Sequence, residues 1–322
     1  MMAIARRAAV VGCMFMLALS IASAQEAGKK NQKKAKAKQA AEEPAASAVM
    51  TYKKVGDTEL KMYIFNPADQ AAGMKRPAIV FFFGGGWTGG APRQFEEHCR
   101  YLASRGVVAM TADYRVFSRQ KATVAECVSD AKSAIRWARE HAAQLGIDPE
   151  RIVAGGGSAG GHLAAATATL EGFDDANEDS SISSKPNALV LFNPALDLRP
   201  EAFNRTPEEA ASSDLASRLG ASVEDLTPSM HISRDLPPTI IFHGKADSTV
   251  PFAQVEAFSQ GMRASGVLCE VRGYDGQQHG FFNFGRGDNS NFLDTLKKTD
   301  AFLASLGYTT GEPTVDVFFT GK

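Results

Sequence analysis

Cysteine, tryptophan and histidine are scarce in this chain of 322 residues, at four, two and six. There is no Cys-x-x-Cys pair and no Cys/His cluster, so nothing in the sequence suggests a metal centre, and no cofactor fingerprint replaces it. With Cys13 inside the first apolar segment, Cys99, Cys127 and Cys269 are left. That odd number allows one disulfide with a spare thiol, of unspecified pairing, or three buried free thiols. Long apolar runs are also lacking: the one from Ala8 to Ile21 is fourteen residues, short of the roughly 20 that a membrane-spanning helix needs. Nor is there an excess of positive charge, the formal net charge being -1. A hydrophobic share of 44% with 22% charged residues excludes a fibre or a wholly disordered chain and suits a large globular core.

The amino-terminal residues differ from the rest. Arg6 and Arg7 precede the apolar run, which ends in Ala22-Ser23-Ala24, a small-x-small cleavage pattern. This predicts a signal peptide over 1–24, cut before Gln25, and a secreted or periplasmic destination. Residues 25–48 hold six lysines and no aromatic side chain; such a stretch cannot bury enough surface to fold and reads as a disordered linker. Without these segments 27 basic residues face 33 acidic ones, so the folded body is mildly acidic and nucleic acid is not an expected partner. A single catalytic domain is expected over 49–322.

Two alternating segments, Met50 to Val55 and Glu59 to Phe65, flank Gly56-Asp57 and predict a hairpin. Beyond them the pattern changes to continuous apolar runs at 78–83, 107–114, 151–156, 188–193, 239–244 and 267–274. Helical patterns lie between most of them, at 93–105, 121–145, 159–170, 251–265 and 289–306. Strands buried on both faces and alternating with helices predict a mainly parallel sheet in a three-layer α/β fold. The stretch 194–238, rich in Pro, Ser and Asp with one helical pattern from Pro207 to Leu219, reads as a small cap-like excursion over the carboxyl edge of the sheet.

Two glycine-rich turns then stand out. Gly156-Gly157-Ser158-Ala159-Gly160 is a G-x-S-x-G match between a predicted strand and a predicted helix. That sharp turn exposes the Ser158 hydroxyl at a positive helix end. A serine needs a base, and of the six histidines His279 lies in a polar, glycine-bearing loop after the last strand. His98 and His141 read as surface or packing residues of amphipathic helices, His162 as support for the turn, His231 as part of the excursion and His243 as a strand end. An imidazole base needs a carboxylate to hold its tautomer; Asp247 sits on a loop after a strand, where its competing use is turn or N-cap chemistry, and Asp275 is the substitute. In Phe81-Phe82-Phe83-Gly84-Gly85-Gly86-Trp87, bare backbone follows a strand. Gly85 and Gly86 N–H, with Ala159 N–H, are assigned to an oxyanion hole, and Trp87 to a pocket wall.

Taken together, Phe83-Gly84-Gly85-Gly86-Trp87, Asp113-Tyr114-Arg115, Gly156 to Gly161, His243-Gly244 with Asp247, and His279-Gly280-Phe281 resemble the HGGG-W esterase and lipase branch of the α/β-hydrolase superfamily. That branch is related to the hormone-sensitive lipases and to secreted bacterial acetyl esterases, and the resemblance covers residues 50–308. The chain order Ser158, Asp247, His279 agrees with it. It implies a secreted serine carboxylesterase acting on short acyl esters, acetyl above all, with polysaccharide deacetylation as its setting and a small-molecule or carbohydrate ester as partner. One departure is Phe83, where the family carries a loop-bracing histidine. A peptidase on the same fold is the alternative enzyme, although such peptidases usually carry a large extra domain. A catalytically silent binding module is the alternative from another class, and the presence of Ser158, Asp247 and His279 together argues against it.

Overall fold

In the computed structural model, which describes residues 43–71, 73–206, 208–209 and 215–320, the two alternating segments and the six apolar runs become eight strands of one sheet. β1 (Ala48–Val55) and β2 (Thr58–Phe65) form the expected antiparallel hairpin, turning at Gly56, whose φ is +54°. β3 (Arg76–Phe82), β4 (Val108–Ala112), β5 (Ile147–Gly157), β6 (Ala188–Phe192), β7 (Thr239–Gly244) and β8 (Cys269–Tyr274) follow. The order across the sheet is β1-β2-β4-β3-β5-β6-β7-β8. β2 runs antiparallel to β4, and from β4 to β8 every neighbour is parallel.

The unbroken apolar runs have a simple cause. Along β3, Ala78, Val80 and Phe82 face one core while Ile79 and Phe81 face the other, so both faces must be apolar. Helices α2 (Val124–Glu140), α3 (Ala159–Thr169) and α4 (Ala253–Ala264) cover the first face; α1 (Glu96–Ser104) and α5 (Ser290–Ser305) cover the second. A capping box starts α2, with Thr123 and Glu126 exchanging side-chain and backbone hydrogen bonds. The chain is therefore an α/β three-layer protein with a mainly parallel sheet, as its sequence predicts.

The structure adds detail where local signals were weak. The helical pattern at 121–145 breaks after Glu140 into α2 and a one-turn helix, Ala142–Leu145, closed by Gly146 at φ +66°. A last short helix, α6 (Val315–Phe319), lies beyond the segment that resembles the esterases and sets Phe318 edge-on to Tyr101, with ring centroids 5.5 Å apart. In the excursion a 3₁₀ turn occupies Ala216–Arg218, and part of the helical pattern at 207–219 lies outside the described residues. The signal peptide and most of the linker also lie outside them. Backbone pairing begins one residue ahead of the linker's end, where Ser47 N–H donates to Ile64 O at 2.8 Å. No helix among the described residues is long and apolar enough to cross a membrane.

Cys99, Cys127 and Cys269 are free and buried, which resolves the sequence alternatives in favour of thiols. His98 is fully buried among Phe81, Phe95, Phe192, Phe282 and Phe292, and neither ring nitrogen has a hydrogen-bond partner. Burial pushes its imidazole down to about 3 from the ordinary 6.5. His162, also buried, is pushed down to about 4. Because the unfolded chain accepts these protons and the folded one does not, stability should fall as pH drops below about 6.5. Each group should contribute a slope of up to about 1.4 kcal/mol per pH unit. Urea midpoints measured from pH 7 to pH 4 should decline accordingly. His98→Phe should make that decline shallower; an unchanged slope would rule out a neutral buried His98.

Candidate active site

Ser158 stands where β5 turns into α3, at φ +54° and ψ −121°. Such backbone is strained for a residue with a side chain and persists only when its surroundings enforce it. Here they do: Ser158 N–H donates to Phe192 O at 2.9 Å, and Ser158 O accepts from His162 N–H at 2.9 Å. The flanking glycines explain themselves by contact. A Cβ on Gly160 would lie 2.0 Å from Phe82 O, one on Gly156 2.3 Å from Gly160 O, and one on Gly157 2.5 Å from the Phe282 ring.

His279 reaches Ser158 from the loop after β8. Its Nε2 lies 2.9 Å from Ser158 Oγ and its Nδ1 2.7 Å from Asp247 Oδ2. Asp247 serves both of its sequence-level readings at once. Oδ1 accepts Thr249 and Val250 N–H at 2.8 and 2.9 Å, closing the turn before α4, while Oδ2 faces His279. A second imidazole, His243, sits at the end of β7 with Nε2 3.3 Å from the same Oδ2 and 2.9 Å from Val250 O. Burial alone would raise the Asp247 carboxyl; hydrogen bonds from His243, His279 and Val250 N–H outweigh it and hold Asp247 well below the usual carboxylate range. Asp275, the substitute, is exposed and pairs with Lys245 at 2.8 Å, away from His279.

The glycine loop faces this run. Gly85 has φ +132° and Gly86 φ +59°, and a Cβ on Gly85 would lie 2.3 Å from Gly89 O. Their N–H groups, and that of Ala159 at the start of α3, donate to no partner among the described residues. Phe83 is fully buried and stacked on Tyr114 with centroids 4.1 Å apart; the Tyr114 hydroxyl donates to Phe83 O at 2.7 Å. The aromatic pair thus holds the start of the glycine loop. Trp87 is buried edge-on to His162 at 5.1 Å, and His162 Nε2 lies 2.8 Å from Leu226 O. His162 therefore holds the serine turn through its backbone N–H and anchors the excursion through its ring.

Two cavities meet at Ser158, Gly86 and Thr249. One, of about 480 Å³, is lined by His279, Gln94, Asn193 and Asn283. The other, of about 520 Å³, is walled by Trp87, Leu198, Phe203, Leu215 and Val250. Two larger hollows, of about 830 and 1010 Å³, contain none of these groups. Nothing in the sequence marks His243, Gln94, Asn193 and Asn283 as site residues. The one local hint was Asn193 at a strand end, where asparagine tolerates the φ of +33° it adopts.

Known proteins resemble this chain in sequence and fold. The family described as BD-FAE matches residues 62–262, and the dienelactone hydrolase family matches 226–306. Apo esterase 2 of Thermogutta terrifontis superposes with a TM-score of 0.79 at 50% identity, covering 84% of this chain and 98% of that one. The same enzyme has been solved phosphorylated by paraoxon and with propionate or butyrate bound. A probable isoprenylcysteine alpha-carbonyl methylesterase of Oryza sativa subsp. japonica is 32% identical over 235 residues, 68% of this chain and 53% of its own length. The probable carboxylic ester hydrolase LipM of Mycobacterium tuberculosis is 30% identical over 200 residues, 58% of this chain and 45% of its own length. The chain spans about half the length of the curated relatives it matches. Fold and relatives define the class as carboxylic ester hydrolases on the α/β-hydrolase fold, of the hormone-sensitive-lipase-like branch. Within it, the chain belongs to the BD-FAE family.

The loop bracing can be measured directly. Phe83→Ala should cost about 3–5 kcal/mol in stability, as for other buried Phe truncations. Tyr114→Phe, which strands the buried Phe83 carbonyl, should cost about 1–3 kcal/mol. Urea unfolding at neutral pH checks both, and a Phe83→Ala cost under about 1 kcal/mol would remove Phe83 from this role.

Proposed function

We propose that the whole chain works as a serine carboxylesterase, cleaving short-chain acyl esters through an acyl-enzyme on Ser158. His279 takes the proton from Ser158 Oγ as the hydroxyl attacks the ester carbonyl and returns it to the departing alcohol. Asp247 holds Nδ1–H of His279 and stabilises the imidazolium. Gly85, Gly86 and Ala159 N–H receive the charge that develops on the former carbonyl oxygen. Water activated by His279 then hydrolyses the acyl-enzyme and frees Ser158.

The observation that carries this reading is the hydrogen-bonded run from Ser158 Oγ through His279 to Asp247, at 2.9 and 2.7 Å, opposite bare glycine N–H groups. The neighbouring esterase supports the nucleophile, since paraoxon phosphorylates that enzyme. Propionate and butyrate bound to the same enzyme support a short acyl group. Acetyl is the acyl group we assign first, on a polysaccharide or small carbohydrate ester, with the chain acting after export once 1–24 are cleaved. No nucleic acid takes part.

Ser158→Ala should lower kcat by about 10⁴-fold or more with little change in thermal stability. His279→Ala should match it, and the double variant should be no worse than either single, because residues acting as one unit are not additive. Asp275→Asn should stay within twofold of the parent. Fluorophosphonate labelling read by mass spectrometry checks the nucleophile independently of substrate choice; an unlabelled Ser158 in the folded parent would sink the reading.

A further inference from the structure

A tie of side-chain amides runs between the glycine loop and the His279 loop. Gly84 N–H donates to Gln94 Oε1 at 2.6 Å, and Gln94 Nε2 donates to Asn283 Oδ1 at 2.8 Å across 189 positions of sequence. Asn283 Nδ2 donates to Gly280 O at 2.9 Å, one residue past His279. Gly280 N–H continues to Asn193 Oδ1 at 3.0 Å, and Asn193 N–H to Phe242 O of β7 at 2.7 Å. Gln94, Asn193 and Asn283 all line the cleft that holds Ser158 and His279.

We propose that Gln94 and Asn283 are positioning residues that set the register of the glycine loop and its distance from His279. The proposal rests on the esterase reading above. Three successive glycines leave the loop free to present any of its N–H groups. Gln94 occupies the N–H of Gly84, Tyr114 occupies the carbonyl of Phe83, and Gly85 O accepts from Thr88 and Gly89 N–H at 3.0 and 3.1 Å. What is left facing the cleft is Gly85 and Gly86 N–H. The tie has one polarity: turning over the Gln94 amide would set its NH₂ against Gly84 N–H and its oxygen against Asn283 Oδ1, donor to donor and acceptor to acceptor. Orientation at Gly84 therefore dictates orientation at Asn283 and at the Gly280 carbonyl. A displacement of about 1 Å between reacting groups can cost about 10²-fold, so a tie that fixes this spacing acts on the transition state more than on substrate binding.

Gln94→Met keeps nearly the same side-chain volume and removes both hydrogen bonds; Asn283→Leu keeps the branching of the side chain and removes both hydrogen bonds at the other end. Each should lower kcat for p-nitrophenyl butyrate by about 10- to 50-fold, less than the 10²–10³-fold of a deleted oxyanion donor, with KM within about threefold. The double variant should fall within about twofold of the worse single, because both break one tie. Affinity for a boronic acid that forms a tetrahedral adduct should drop by the same factor as kcat, while affinity for butyrate holds. Hydrogen–deuterium exchange supplies a readout that needs no activity: Gln94→Met should speed exchange at 279–283 as well as at 84–90. Should Gln94→Met not fold, Gln94→Glu, which keeps the acceptor for Gly84 and loses the donor to Asn283, takes its place with the same expectation at 279–283. Unchanged kcat, or a KM rise with kcat intact, or exchange at 279–283 equal to the parent, would overturn the proposal. Failure of the esterase reading looks different, because the parent itself would then leave Ser158 unlabelled by fluorophosphonate.

Discussion

Ser158 at φ +54° is the constraint around which the centre of the molecule is arranged. Holding a residue with a side chain in such backbone costs on the order of 1–3 kcal/mol, and the cost is met by removing side chains nearby. β5 gives up Cβ atoms at Gly155, Gly156 and Gly157, and α3 at Gly160 and Gly161. Into the vacated space come the ring of Phe81 against Gly155, the ring of Phe282 against Gly157 and Pro194 against Gly161. Aromatic bulk from adjacent segments thus compensates for missing bulk in the strand. The same substitution appears at the glycine loop, where the Phe83 ring closes on Gly90.

Elsewhere buried charge fastens loops to the frame. Lys53 on β1 lies 3.1 Å from Asp130 of α2 and 3.1 Å from Asp175 in the loop after α3. Arg115 approaches the other Asp130 oxygen at 2.8 Å, and Arg136 reaches Glu178 at 2.5 Å. Taking Asp130 from the buried Lys53–Asp130 pair would leave an uncompensated charge, at a cost of roughly 3–5 kcal/mol, whereas Asp175 and Glu178 on the loop are partly exposed and contribute less. These contacts therefore hold the 171–187 loop against α2 although it contributes little apolar surface. Asp247 follows the same rule, with two imidazoles and two backbone N–H groups as its compensation.

Much of this was legible in the chain because the signals are local. Apolar runs such as 78–83 and 188–193 declare a sheet buried on both faces, and G-x-S-x-G between strand and helix declares the turn at Ser158. Chain order and loop placement picked His279 and Asp247 out of larger sets. What stayed hidden depends on tertiary contact. Gln94 and Asn283 are ordinary amides until 189 positions of separation are closed. Nothing near Phe83 in sequence announces Tyr114 as its partner, because they sit on adjacent strand ends and are 31 residues apart. His243 looks like a strand residue, and only the turn at 247–250 brings a carboxylate to it. α6 leaves no sequence signal, since a five-residue helix has too little periodicity to read.

The three thiols carry a consequence for experiment. Cys99 lies in the core on one face of the sheet, Cys127 and Cys269 in the core on the other. Burial raises all three, Cys269 to about 12, so almost none is thiolate at neutral pH. Alkylation must then wait for a region to open, and its rate at each cysteine becomes a clock for that region. Mass spectrometry of the modified peptides would time the loosening of the two helical layers separately, with no label added to the protein.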